Sequence, residues 1–207
     1  MPKIDAFETY SDAYDDWFEK NRLAYEAELK AVRQLLPAGD VRGMEVGIGS
    51  GKFAVPLGIK VGVEPSKQMA VKAEKLGLEV HSGVAEELPF PADQFDFVLM
   101  VTTICFVDDV VQSFQEALRV LVPGGCILVG FVDMESDLGQ KYLQNRHKSK
   151  FYKEATFFST QEVLDHLKIA GFGATEVKQT LILGDTENTV LDGFGAGAFV
   201  VIKAIKG

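Results

Sequence analysis

Apolar positions recur along this chain with two different periods. In the first forty residues the spacing is helical. Phe7, Tyr10, Tyr14 and Trp17 fall three and four apart and share one face, and Tyr25, Leu29, Val32 and Leu36 form a second stripe ended by Pro37 and Gly39. Ser11 reads as the cap of a turn beginning at Asp12, with Asp12, Asp15 and Asp16 near the positive end of its dipole; Asn21 reads as the next cap. From residue 41 the pattern changes to short, nearly continuous apolar runs at 41–47, 58–64, 78–81, 95–101 and 126–132. Runs of this kind fit strands buried on both faces of a parallel sheet. Residues 66–75 read as a crossover helix. Val110, Phe114, Ala117, Leu118 and Leu121 mark the inner side of another, which Pro123-Gly124-Gly125 ends. A helix at 160–170, capped by Ser159 or Thr160, precedes two strands at about 175–183 and 197–205. No crossover helix separates those two, which predicts an antiparallel hairpin at one sheet edge. The alternation of strand and helix is that of an α/β fold, doubly wound, with helices on both faces.

The 207 residues show no repeat and no low-complexity linker, so a single domain over 1–207 is expected. Within it, residues 1–38 form an amino-terminal helical cap and 133–158 an insertion. A hydrophobic fraction of 47% with 25% charged residues excludes a disordered or fibrous chain. The two cysteines, Cys105 and Cys126, lie in apolar runs and read as buried free thiols rather than a disulfide framework. With the three histidines they make no zinc pattern, so no metal is expected. The amino terminus lacks a secretory apolar core and no run is long enough to cross a bilayer, so a cytoplasmic protein with no membrane insertion is expected. A net charge of −9, from 21 basic and 30 acidic side chains, argues against nucleic-acid binding. Monomer and homodimer fit equally well.

The chemistry concentrates in Met44-Glu45-Val46-Gly47-Ile48-Gly49-Ser50-Gly51-Lys52, where a buried strand runs into three alternating glycines. Glycines permit a tight turn and close approach of a ligand, and the turn's amides can accept a carboxylate or phosphate. The dinucleotide fingerprint G-x-G-x-x-G would need glycine at position 52, which is Lys52, and no P-loop sequence is present. Glu64 ends the second strand, 19 residues after Glu45. In an open α/β sheet that edge faces the ligand crevice, where a carboxylate can accept both hydroxyls of a ribose.

Together these segments resemble the class I S-adenosylmethionine-dependent methyltransferases, particularly the small-molecule branch known as methyltransferase type 11. Residues 45–51 resemble the methionine-binding motif, and Glu64 the ribose-binding acid. Gly83-Val84-Ala85-Glu86-Glu87-Leu88-Pro89-Phe90 is similar to the landmark G-D-A-E-x-L-P-F, and 121–125 to the turn before the fifth strand. The resemblance implies a Rossmann-like seven-stranded sheet of order 3-2-1-4-5-7-6 with strand seven antiparallel, and S-adenosyl-L-methionine as cofactor. It places Glu45, Gly47, Gly49 and Gly51 at the methionyl end, Glu64 and Pro65 at the ribose, and Ser66, Met69, Val84, Ala85, Glu86 and Val101 around the rest of the cofactor. Val84 departs from the usual aspartate and cannot accept from an adenine amino group.

The resemblance implies methyl transfer to a small organic molecule through an N, O, C or S atom. Methyl transfer needs an acceptor held in line and no fixed triad, and no compelling general base is visible. The [DN]-P-P-[YF] motif of amide- and base-amine methylation is absent, and Cys105 lacks the setting of a nucleophile. Tyr14, Trp17, Thr102, Tyr142, His147 and Tyr152 are the pocket candidates. Residues 140–153 carry five lysines or arginines and no acid. Such a rim can steer an anionic acceptor, and it reads equally as a solvated helical face. The competing functions are a non-catalytic S-adenosylmethionine-binding regulatory protein and a nicotinamide-dependent oxidoreductase, against which the glycine spacing speaks.

Overall fold

Along β4 (Phe95–Val101) successive side chains go to opposite faces, and both sets are buried. Phe97, Leu99 and Val101 join one apolar cluster, Val98 and Met100 another. β5 (Leu121–Val132) repeats this, with Cys126 and Leu128 facing one way and Ile127 and Val129 the other. A sheet apolar on both faces must be covered on both. In the computed structural model, which describes residues 3–207, α6 (Val110–Val120) and α8 (Thr160–Ala170) cover one face and α3 (Arg22–Leu35) the other.

The remaining elements are α1 (Asp5–Thr9), α2 (Ser11–Lys20), β1 (Gly43–Val46), α4 (Ala54–Leu57), β2 (Val61–Val63), α5 (Lys67–Lys75), β3 (Glu79–His81), α7 (Asp137–Asn145), β6 (Phe172–Ile182), β7 (Leu191–Asp192) and β8 (Gly197–Lys206). The strands form one sheet, β3-β2-β1-β4-β5-β8-β6-β7, parallel from β3 to β5. β8 inserts antiparallel between β5 and β6. This is the expected Rossmann-like order, with one strand more than expected: two-residue β7 pairs with β6 at the edge.

Local chemistry sets the boundaries. The Ser66 hydroxyl caps α5 by accepting from the Met69 amide, and Ser159 and Glu162 form a reciprocal capping box at α8. The first aromatic stripe is not one helix, because Tyr10 leaves helical geometry (φ −121°, ψ 30°) and separates α1 from α2. Ser11 is the first residue of α2 and caps nothing. Asn21 likewise offers no cap to α3, its amide instead donating to the Trp17 carbonyl. Leu121 belongs to β5, paired with Phe95, so Pro123-Gly124-Gly125 sits in the irregular start of a strand instead of ending α6. No helix among the described residues is long and apolar enough to cross a membrane.

Candidate active site

β1 ends at Val46 and the chain turns through Gly47, Gly49 and Gly51, each with positive φ (69°, 54° and 84°). The amides of Gly47 and Ile48 donate to the Val63 carbonyl at 2.8 and 3.1 Å, holding the turn against the end of β2. Glu64, the next residue, completes the join. Its Oε2 accepts from the Gly49 amide at 2.8 Å and its Oε1 from the Ser66 amide at 2.9 Å. One carboxylate thus couples the glycine turn to the start of α5, at the carboxyl edge of the sheet.

Two acids share this low-dielectric corner. Burial pushes the Glu64 carboxyl up to about 7, with the Ser66 and Gly49 amides pulling the other way. Glu45, on β1 beneath the turn, is held well above the usual carboxylate range by burial first and by the charge on Glu64 second. Its Oε2 is buried with no hydrogen-bond partner among the described residues. Each Glu64 oxygen has accepted one amide and retains a lone pair. A guest bearing an ammonium and paired hydroxyls fits this arrangement; a second anion does not.

A cavity of about 570 Å³ opens above the turn, within the usual range of small-molecule sites. Of the expected cofactor residues, Gly47, Gly49, Glu64, Pro65, Met69, Val84, Ala85, Glu86 and Val101 line it. Glu45, Gly51 and Ser66 do not. Glu45 lies below the turn, Ser66 is the buried cap of α5, and Gly51 faces Leu78, Leu76 and Val55. Of the expected pocket residues, Tyr14, Trp17, Thr102, Tyr142 and Tyr152 line the cavity. His147 does not: it is exposed on the short helical turn Arg146–Lys148. The basic side chains of 140–153 are also absent from the wall, to which that segment contributes Tyr142, Phe151 and Tyr152. These basic residues are exposed, with the Lys150 ammonium over the Tyr10 ring at 4.7 Å, while the rings turn inward.

Thr102 closes the end of β4 in the left-handed region (φ 52°), an uncommon conformation for a β-branched residue. Its hydroxyl is tied to the Val101 carbonyl, and that of Thr103 to Val46 and Val101. Cys105 is partly covered rather than fully buried, and burial pushes its thiol up to about 12, away from a reactive thiolate.

The amino-terminal helices are fastened to the turn by charge. Asp15 accepts from the Ser50 hydroxyl at 2.6 Å and from Lys72 at 2.8 Å, and Lys72 also reaches Asp12 at 2.6 Å. Two of the acids that read as partners of a helix dipole, Asp12 and Asp15, therefore tie α2 to α5, and Asp15 also ties it to the glycine turn, while Asp16 pairs with Lys20 on α2 itself. Among the parts of the wall that sequence reasoning missed are Glu28 on α3, and the end of β6 with the turn after it, from Leu181 to Asp185. Glu28 had a legible signal, since Tyr25, Glu28, Val32 and Leu35 are spaced three, four and three apart. An acid on an apolar stripe is buried.

The family model described as "Methyltransferase domain" matches residues 44–129 of this chain. An uncharacterized protein of Methanocaldococcus jannaschii is 41% identical over 98% of this chain and 100% of its own length. A solved structure from Thermotoga maritima, described as a SAM-dependent methyltransferase and possible histamine N-methyltransferase, is 50% identical, covers 98% of both chains and superposes with a TM-score of 0.93. An S-adenosylmethionine-dependent methyltransferase from Mesorhizobium loti shares the fold at 21% identity, with a TM-score of 0.67 over 88% of this chain and 99% of its own. This chain belongs to the type 11 family of class I S-adenosylmethionine-dependent methyltransferases, and S-adenosylmethionine is its cofactor.

Proposed function

We propose that this methyltransferase acts on a small organic acceptor enclosed beneath α1, α2 and the 133–158 segment, within one domain spanning 1–207. The observation that carries this reading is the Glu64 carboxylate bridging Gly49 and Ser66 at the edge of the cavity. S-adenosylmethionine, when bound, supplies an electrophilic methyl carbon on a sulfonium. The remaining free-energy contributions come from the chain. Glu64 accepts from the ribose hydroxyls with its unused lone pairs, and Glu45, outside the cavity wall beneath the turn, reaches the methionyl ammonium only through water. Met69 and Ala85 give apolar surface to the adenine, and Val84 leaves its amino group to water.

On the acceptor side, Tyr14, Trp17, Thr102, Tyr142 and Tyr152 shape the chamber. Tyr142 and Tyr152 stack at 5.0 Å, and burial holds both phenols above their ordinary range, so they remain neutral. The chain's contribution is then positioning, desolvation and alignment rather than a covalent step. Incubation with methyl-labelled cofactor and fractionated metabolite extracts tests this. Label is expected in a low-molecular-weight product; transfer only to protein or nucleic acid would contradict it.

A further inference from the structure

Glu28 is the acid the glycine-turn chemistry does not use. It projects from the middle of α3, is 5% exposed, and lines the cavity. Among the described residues no hydrogen bond or ion pair reaches its carboxyl group. Burial alone raises this group to about 8. A side chain of this kind is costly unless a partner of opposite charge arrives.

Glu28 shares the cavity wall with the rings of the acceptor side. The charge of Glu28 is felt by Tyr142 and Tyr152, the rings that the 137–154 segment brings to the chamber, as well as by Tyr14 and Tyr25. Glu45 and Glu64 act on Tyr14 but are not among the charges felt by Tyr142 or Tyr152. Tyr14 thus feels both the acids at the glycine turn and Glu28, and Tyr25 feels both Glu45 and Glu28. The surroundings of Glu28 are aromatic. Tyr142 stacks with Tyr152 at an interplanar angle of 22°, and Phe106 with Tyr152 at 15°. Ring faces carry partial negative charge and attract cations.

The charge balance of the wall agrees. Its acids are Glu28, Glu64, Glu86 and Asp185, and its one lysine or arginine among the described residues is Lys3, which donates to Thr156. Glu86 already accepts from the Asp108 and Asp109 amides, and Asp185 from those of Glu187 and Thr189. Glu28 alone among the acids on the acceptor side is without a hydrogen bond. An anionic acceptor would enter against this field.

We propose that the methyl acceptor is a small organic amine, bound as its ammonium ion, and that Glu28 is its counter-ion within the aromatic chamber. This rests on the reading of the cavity as a chamber shared by cofactor and acceptor, and it names the acceptor's chemical class. The ammonium donates to Glu28 while its organic part lies against Trp17, Tyr142 and Tyr152. Transfer requires that proton to pass to the Glu28 carboxylate first, so that the free amine's lone pair takes the methyl group as the donor's C–S bond breaks and S-adenosylhomocysteine leaves.

Calorimetric titration of the protein saturated with S-adenosylhomocysteine tests it, using matched sets: benzylamine, benzyl alcohol and benzoate, then butylamine, butanol and butyrate. At least one amine is expected to bind about tenfold or more tightly than its alcohol and carboxylate counterparts, as a charge-assisted bond in a buried site predicts. Glu28→Gln is expected to abolish that preference while leaving S-adenosylhomocysteine affinity within about threefold, since among the described residues no hydrogen bond joins Glu28 to the glycine turn or to Glu64. Glu28→Asp, which keeps the charge, is expected to retain part of the preference. Failure of every amine to bind better than its matched alcohol, or an amine preference that persists in Glu28→Gln, would overturn the proposal. If the wild-type protein did not bind S-adenosylhomocysteine, the cofactor reading itself would fall instead, and the two failures are separately visible.

Discussion

Glu28→Gln should stabilise the ligand-free protein, and by an amount that depends on pH. Glutamine keeps the shape of the side chain and removes only the capacity to ionise. The Glu28 carboxyl titrates near 8 in the folded chain, against an unfolded value of 4.5. A carboxyl with a raised folded value holds its proton in the native state while the unfolded state has lost it. Stability therefore falls as pH rises from 4.5 to about 8, and levels off above. At about 1.4 kcal/mol per unit this reaches a ceiling of about 5 kcal/mol at alkaline pH, and about 3 kcal/mol at pH 7. The variant lacks this loss. Urea unfolding at a series of pH values from 4 to 9 measures it: the two proteins should nearly coincide at the acid end, and the variant should pull ahead by several kcal/mol at the alkaline end. Parallel curves across the range would show that Glu28 pays no desolvation penalty, and the argument for an unsatisfied acid would be lost.

Other consequences are independent of Glu28. Gly47→Ala should lower stability by about 1–3 kcal/mol, seen as a reduced urea midpoint, because φ is 69° and a Cβ would stand 2.6 Å from the Thr103 hydroxyl. Binding of S-adenosylhomocysteine at pH 6.5 should release protons, because hydroxyl and ammonium donors favour the charged forms of Glu64, raised to about 7 when empty, and of Glu45. Calorimetry in two buffers of different ionisation enthalpy reads this, and proton uptake would contradict it. Asp15→Ala should lower stability by about 1 kcal/mol, as expected for a partly exposed ion pair. The same change should speed S-adenosylhomocysteine dissociation, since it cuts α2 from Ser50 and Lys72. The signal is the fluorescence of Trp17, the chain's single tryptophan, which lines the cavity; an unchanged rate would show that the tether does not hold the helix over the site.

What could be read in advance follows local physics. The runs at 95–101 and 126–132 are apolar on both faces, and only a strand between two helical layers satisfies that; β4 and the core of β5 are where the pattern puts them. Gly47, Gly49 and Glu64 were legible because turn geometry and strand-end acids are short-range features, and the Gly49 amide meets Glu64 at 2.8 Å. The features that escaped depend on contacts distant in sequence. Ser11 and Asn21 have the chemistry of caps, but Tyr10 breaks the helix one residue early and Asn21 turns back to Trp17. Asp15 looked like a dipole partner until folding brought Lys72 beside it. The charge on 140–153 was visible, yet only the fold shows that Tyr142, Phe151 and Tyr152 face inward and the lysines outward. Gly51 and Ser66 lie in the motif but serve packing and capping.

Titration of wild-type protein and Glu64→Gln with S-adenosylhomocysteine tests the central claim most directly. Gln retains an acceptor for one of the two amides that Glu64 holds but faces the other with a donor, and it removes the charge that would grip the ribose. Saturable one-to-one binding is expected for the wild type, weakened about tenfold or more in the variant at unchanged secondary structure. Equal affinity in both proteins would contradict the assignment of this carboxylate to the cofactor.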